Sequence, residues 1–542
     1  MACDPVKIFV GREREIEELH QIMVDRKVGA ITGTAGTGGI GKTELARMFA
    51  KRYMAEYPDG VFWASLRGST WLQETQKIIK ALDSETKRTC FFDDSRAKDE
   101  ICKRLNGKKA LLVIDNVNEA SEIIRPDCSV LVTTGDKTAF GTITRKAIKQ
   151  LSGLSSDDGV RLLVKVLGKT RVARDPSGAS RIMEILEGIP LALHIAVRHL
   201  EAVPDLSFSH YTDQIKRKIK ELKLRDNEDK AVIASVELSL EELESNPRGA
   251  DYIAFFEAVS VCAESGFTSR VLTQTTGLGE TGQAIAEELH QRSILEFDQN
   301  SFRYSMHPLL QQLSSVRLRK DGGKEFLFKE NHCMHFLRFA KSHHNSPDML
   351  IGERDGLWQA MTQTRQIGRE RELLPRFLEH LIQPFHQLAA GKDYEGGFRY
   401  LVATGLISLN ALGLVTDLES ILENLAENQA GLQESSRAWV NASLGNIYIR
   451  LGEYAKALDF YGKALETYHK VADVSGQGKV LGSMGDVALQ LGDYNKAISF
   501  YGRSLEVYRQ IGDLSGQCKV LGSMGIACTD PGEHAKAISF YE

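Results

Sequence analysis

The chain has 542 residues, of which 42% are apolar and 26% charged, and its formal net charge is −4. That length exceeds what one hydrophobic core organises, and at roughly 100 to 200 residues per domain it predicts three to five packed units. The composition argues against extended disorder, and the mild acidity provides no global basic field, so nucleic-acid binding would need a local patch.

From about residue 8 to 150, short apolar runs alternate with helical patterns. Strands are expected around Ala30 to Thr32 and over Val61 to Leu66, Ala110 to Ile114 and Ser129 to Thr133. Alternation of this kind predicts a parallel sheet flanked by helices, an α/β domain over residues 1–150. After Leu151 the pattern turns helical. Asp157 to Leu167, Ala179 to Glu187 and Pro190 to Leu200 carry apolar residues three and four apart, and Pro190 suits a first helical position. These make a helical domain over 151–225. The polar stretch from Lys216 to Lys230 reads as a boundary. Helices follow, then alternation over Ser293 to Tyr304 that predicts a hairpin, giving a winged-helix-like outline over 226–320 and a helical connector over 321–436.

The tail, 437–542, is a repeat: Gly452, Gly492 and Gly532 recur every 40 residues, as do Tyr461, Tyr501 and Tyr541. Each copy is expected to hold two helices, the second with Tyr454, Ala457, Leu458, Tyr461 and Leu465 on one face. Such pairs bury their apolar faces only by stacking, which predicts an α-solenoid whose concave surface recognises a protein ligand, with the tyrosines serving as core. The last copy stops inside its second helix at Glu542, so an apolar end face is expected to continue in a longer chain.

Gly36-Thr37-Gly38-Gly39-Ile40-Gly41-Lys42-Thr43 matches GxxxxGK[ST]. Its glycines let backbone N–H groups wrap a phosphate at the start of a helix, Lys42 would hold the β/γ-phosphates, and Thr43 would put its hydroxyl on Mg²⁺. Glu44 continues that helix. Ala110 to Asp115 is an apolar strand ending in a carboxylate, the arrangement that ligates Mg²⁺. The eight cysteines form no CxxC pair and have no histidine partners at zinc spacing, which fits a reducing cytosol. His332, His335, His343 and His344 lack the carboxylate or cysteine that would complete a metal site. No stretch reaches the ~18 apolar residues of a membrane span, so a cytoplasmic protein is expected.

With these residues in view, the chain resembles the STAND-type NTPases of the NB-ARC class, which include plant resistance proteins and apoptosome-forming proteins. Phe9-Val10-Gly11-Arg12-Glu13 is similar to that family's adenine-contacting leader. Gly188-Ile189-Pro190-Leu191-Ala192-Leu193 is similar to its GLPLA motif, which puts Pro190 near adenine with Leu191 beside it. Met306-His307-Pro308 is similar to its MHD motif, whose histidine touches the β-phosphate of ADP. The tail resembles tetratricopeptide repeats in a 40-residue form. The resemblance implies a signalling switch of the innate-immunity kind. ADP would hold it closed, and ATP, with Mg²⁺, would support a self-oligomer once the repeats meet their ligand.

Three departures bear on turnover. Asn116 stands where the family has the acid that prepares the attacking water, and an amide cannot take that proton. Gly135 stands where the family has a γ-phosphate-sensing arginine. Gly33-Thr34-Ala35 reads as an insertion ahead of the loop. No catalytic residue is therefore assigned, and at most weak ATPase activity is expected. The alternatives are a nucleotide-regulated transcription regulator, for which Arg317, Arg319 and Lys320 form only a short basic run, and a repeat scaffold with a relic nucleotide site. The chain starts close to the leader, so no effector domain is expected ahead of it.

Overall fold

The computed structural model describes residues 8–33, 38–67, 71–82, 94–135, 143–222, 229–279, 281–299, 301–404, 406 and 415–529. The chain forms two compact units, Met1–Ser342 with Asp355–Leu378, and His343–Arg354 with Glu379–Glu542.

The first unit begins with α1 (Glu13–Arg26), β1 (Val28–Gly33), α2 (Lys42–Arg52), β2 (Val61–Ser65), α3 (Trp71–Leu82), α4 (Asp94–Leu105), β3 (Leu111–Val117), β4 (Ser129–Thr134) and β5 (Ile148–Leu151). The strands form a parallel sheet in the order β2-β3-β4-β1-β5. Parallel pairing needs crossovers, and the helices that supply them cover both faces, so the central strands are apolar on both sides. Alternation along each strand separates two cores. Ala30, Leu112, Ile114, Val130 and Val132 pack with Trp71, Ile78 and Ile101 on one side. Ile31, Leu111, Val113 and Leu131 pack with Leu19, Leu45 and Phe49 on the other.

β5 is not foreshadowed in the sequence: it lies at the sheet edge, pairs with β1, and reads Ile-Lys-Gln-Leu with Leu151 alone fully buried, so it carries little apolar signal. β3 also runs past Asp115 to Val117, with a register shift after Ile114 and Asn116 at φ 63°.

Next come α5 (Ser156–Leu167), α6 (Lys169–Arg174), α7 (Pro176–Ile185), α8 (Pro190–Ala202) and α9 (Phe208–Glu221). The side chains of Ser155, Asp175 and Ser207 accept the amides of Asp158, Gly178 and His210, satisfying helix-start N–H groups that would otherwise lack partners. The stretch read as a boundary from Lys216 is, through Glu221, the end of α9. Its charges are the solvent face of an amphipathic helix that buries Tyr211 and Ile215.

The unit continues with α10 (Lys230–Glu244), α11 (Gly249–Ala258), α12 (Ser269–Thr276), α13 (Gly282–Gln291), β6 (Glu296–Asp298), β7 (Arg303–Ser305), α14 (Pro308–Leu318) and α15 (Gly322–Ser342). The hairpin is present as antiparallel β6 and β7, with Phe297 opposite Tyr304.

The second unit is helical. Its repeats are built from Glu434–Arg450, Tyr454–Lys470, Val474–Gln490, Tyr494–Gln510 and Leu514–Thr529. A β-carbon on Gly445 would lie 2.5 Å from the Tyr461 ring and one on Gly485 2.4 Å from Tyr501, so each glycine is the space its tyrosine fills. The hydroxyls of those buried rings donate to Asn446 at 2.6 Å and Asp486 at 2.7 Å. Gly532 and Tyr541 lie outside the described residues.

Candidate functional site

The loop between β1 and α2 gathers most of the residues singled out by motif. Thr34, Ala35, Gly36 and Thr37 lie outside the described residues. Gly39 and Gly41 have φ of 72° and 89°, the left-handed region where glycine is unstrained, and Gly41 is the residue from which α2 starts. Lys42 and Thr43 open α2. Ile40 is buried in the core beneath the sheet and anchors the loop. The Glu44 carboxylate pairs with Arg47 along the helix.

The Asp115 carboxylate, buried at the end of β3, accepts the Thr43 hydroxyl at 2.9 Å and the Thr133 hydroxyl at 2.6 Å. Thr133 in turn accepts the Asn116 amide at 3.0 Å. β4 thereby fixes the carboxylate that β3 presents. A hydroxyl and a carboxylate within hydrogen-bond distance are hard oxygen donors, so Thr43 and Asp115 suit Mg²⁺. Burial lowers the proton affinity of the Lys42 ammonium, and the carboxylates of Asp115 and Asp229 raise it again. Among the described residues, a β-carbon on Gly135 would meet nothing within 4 Å.

Two further segments close on the loop. Glu187 and Gly188 turn with φ of 52° and 63° ahead of α8, and a side chain on Gly188 would collide with the Leu154 carbonyl, 2.4 Å away. That turn sets Pro190 and Leu191 on the loop. The Leu191 amide donates to the Gly39 carbonyl at 3.2 Å, a β-carbon on Gly39 would lie 2.6 Å from Leu191 Cβ, and one on Gly41 would lie 3.8 Å from Pro190 Cγ.

His307, the residue before α14, reaches the loop from the hairpin side, its Cε1 3.6 Å from the position of a Gly38 β-carbon. Its Nδ1 accepts the Leu309 amide at 3.3 Å, which leaves the proton of a neutral ring on Nε2. Burial, then the charges of Arg67 and Lys42, push its pKa down to about 3. The ring is neutral at physiological pH and offers one donor without adding positive charge.

The leader is more distant in role. Gly11 and Arg12 take φ of 74° and 70°, and the buried Arg12 guanidinium donates to the carbonyls of Ser152 and Ile40 and pairs with Glu15 at 2.8 Å. Arg12 thus straps the leader, with Val10 ahead of it, to the loop and to the segment that follows β5.

Three residues here carried no motif: Thr133, Arg67 and Asp229. Arg67, just past β2, donates to the Met306 carbonyl beside His307. The Asp229 carboxylate, just before α10, accepts the Gly38 amide at 2.9 Å. Only Thr133 left a local signal, a hydroxyl pair ending an apolar strand.

Residues 12–173 match the NB-ARC domain family, and residues 434–510 and 476–542 match the tetratricopeptide repeat family. The chain is 27% identical over 263 residues to the regulatory protein AfsR of Streptomyces coelicolor, covering 44% of this chain and 26% of that one. It is 24% identical over 325 residues to the disease resistance-like protein DSC1 of Arabidopsis thaliana, covering 56% and 25%. The chain therefore spans about a quarter of the length of these relatives. A crystal structure of a Signal Transduction ATPase with Numerous Domains (STAND) protein with a tetratricopeptide repeat sensor, PH0952 from Pyrococcus horikoshii, aligns with a TM-score of 0.48 and 15% identity over 99% of this chain and 83% of that one. No described helix is long and apolar enough to cross a membrane.

Proposed function

We propose that this chain, an NB-ARC protein with C-terminal tetratricopeptide repeats, is an adenine-nucleotide-dependent signalling switch of the STAND type. The observation that carries the reading is the convergence of three segments on one glycine loop: α8 through Leu191 on Gly39, His307 beside Gly38, and Asp115 on Thr43. A nucleoside diphosphate gripped there would hold the sheet, the helical segment and the hairpin segment together. Lys42 and the loop amides would take the phosphates, Gly36 among them, and Glu44 would contribute from the first turn of α2. Val10, Gly11, Arg12, Pro190 and Leu191 would border the base. His307 would donate from Nε2 to the inner phosphate.

Mg²⁺ held by Thr43 and Asp115 would neutralise phosphate charge. With Asn116 at the base position and Gly135 in place of a cation, hydrolysis would be slow. The nucleotide would then act by differential affinity for two conformations, which bounds the population shift it can cause. The triphosphate state would oligomerise, and the repeats would take a protein ligand that biases the equilibrium. The winged-helix name for the segment 226–320, and the five-part division of the chain drawn from sequence, belong to the same reading.

The deciding experiment is to denature the purified protein and identify what it releases. ADP or ATP in near-stoichiometric amount from wild type, with none from Lys42→Ala, supports the switch. Wild-type protein that carries no adenine nucleotide and takes up none with Mg²⁺ leaves only a repeat scaffold.

A transcription-regulator reading rests on the helices and hairpin of the segment 226–320. Against it, Arg317 of the short basic run is engaged by Glu237 at 2.7 Å. Salt-sensitive retention of random duplex DNA would revive it.

A further inference from the structure

We infer that Asp229 is a built-in competitor for the terminal phosphate of a nucleoside triphosphate, and so sets this site's preference between diphosphate and triphosphate. The inference rests on the nucleotide reading above and adds to it a residue that no motif marks.

Asp229 stands where a helix-capping residue stands, immediately before α10, yet its side chain makes no cap hydrogen bond. Ser155, Asp175 and Ser207, at the same position before α5, α7 and α9, all cap. The Asp229 carboxylate turns instead onto a residue 191 positions away in sequence: Oδ1 accepts the Gly38 amide at 2.9 Å, and Oδ2 lies 3.1 Å from where a β-carbon on Gly38 would be. A carboxylate at a helix start normally satisfies that helix's own N–H groups, whereas this one is placed on the loop.

What it has taken is an anion's place. The amides of a GxxxxGK[ST] loop and its lysine are donors for phosphate oxygens. The Asp229 carboxylate uses one of those amides and lies within electrostatic range of the Lys42 ammonium, alongside Asp115. A second anion brought to the same donors meets like-charge repulsion in a partly buried site, where screening is weak. A triphosphate has one more phosphate to place among these donors than a diphosphate, so it must displace the carboxylate where a diphosphate need not.

Displacement has a defined reach. α10 starts at the next residue, and its Glu237 pairs with Arg317 of α14, the helix that His307 begins. Pushing Asp229 off Gly38 therefore acts on the start of α10, which is paired to the helix carrying the phosphate-side histidine.

The test is calorimetric titration of the whole chain with Mg-ADP and with a non-hydrolysable ATP analogue, for wild type, Asp229→Asn and Asp229→Ser. Serine removes the charge but can cap α10, which separates a lost carboxylate from a damaged helix start. Removing one like charge should tighten the analogue relative to ADP by roughly tenfold in both variants. A ratio that stays within about twofold of wild type in both variants overturns the inference while leaving nucleotide binding intact. Wild-type protein that binds neither nucleotide defeats the nucleotide reading, and this inference with it.

Discussion

A methyl group on Gly39 would be placed in the left-handed region at φ 72° and within 2.6 Å of Leu191 Cβ. Both effects oppose folding: left-handed backbone disfavours an L-residue by ~1–2 kcal/mol, and overpacking adds about 1–3 kcal/mol. Gly39→Ala should therefore lower the urea midpoint of the first unit by the equivalent of at least ~2 kcal/mol and weaken nucleotide binding; an unchanged midpoint would mean that α8 does not seat on the loop. His307 makes a prediction in pH. Its folded pKa is about 3 against an ordinary 6.5. As pH falls below ~6.5 the unfolded chain takes up a proton that the folded chain refuses, so stability drains away between there and about 3. Burial lowers His194, His199, His332 and His335 in the same way, so the acid sensitivity of the first unit is shared. Replacing His307 with glutamine should flatten the fall in melting temperature between pH 7 and 5 by one histidine's share. An identical slope would show the ring to be solvated. Lys42, Thr43, Asp115 and His307 were all legible because each sits in a local motif. Asp229 and Arg67 were not, because they act on partners 191 and 239 positions away, and no spacing records such a contact.

At the scale of elements, the repeats give the sharpest test, because among the described residues the same turn occurs four times with one change. Gly452, Gly492 and Gly512 close helices with φ of 76°, 74° and 70°, while Ala472 does the same work at 54°. Glycine at 472 should stabilise the second unit by about 1 kcal/mol, and alanine at 492 should destabilise it by a similar amount, both read from thermal unfolding. A destabilised Ala472→Gly would mean that the alanine methyl packs usefully enough to outweigh the strain. The same repeats show why element prediction worked where it did. A 40-residue recurrence of glycine and tyrosine is visible because Gly452 and Gly492 take the left-handed turn that ends a helix while Tyr461 and Tyr501 fill the core. β3 and β4 are visible because burial on both faces makes them continuously apolar. β5 escapes because an edge strand needs only one buried residue, and the end of α9 was read as a linker because its solvent face is charged.

For the whole molecule, the two units have separate cores, with the loop, α8, His307 and Asp229 all in the first and the packed tyrosines of the repeats in the second. Calorimetric unfolding should accordingly show two transitions. Ligand at a hundredfold excess over its Kd stabilises the state it binds by about 2.7 kcal/mol, so ADP should raise the first transition and should fail to do so in Lys42→Ala. The second transition carries the argument about switching. A nucleotide influences recognition by the repeats only if its binding free energy reaches them, and coupling between two sites is reciprocal and typically ~1–3 kcal/mol. ADP and a non-hydrolysable triphosphate analogue should therefore leave the repeats unfolding at different temperatures. If that second transition is the same with either nucleotide and with none, the repeats do not sense the loop, and a switch read out through them is excluded however tightly the first unit binds.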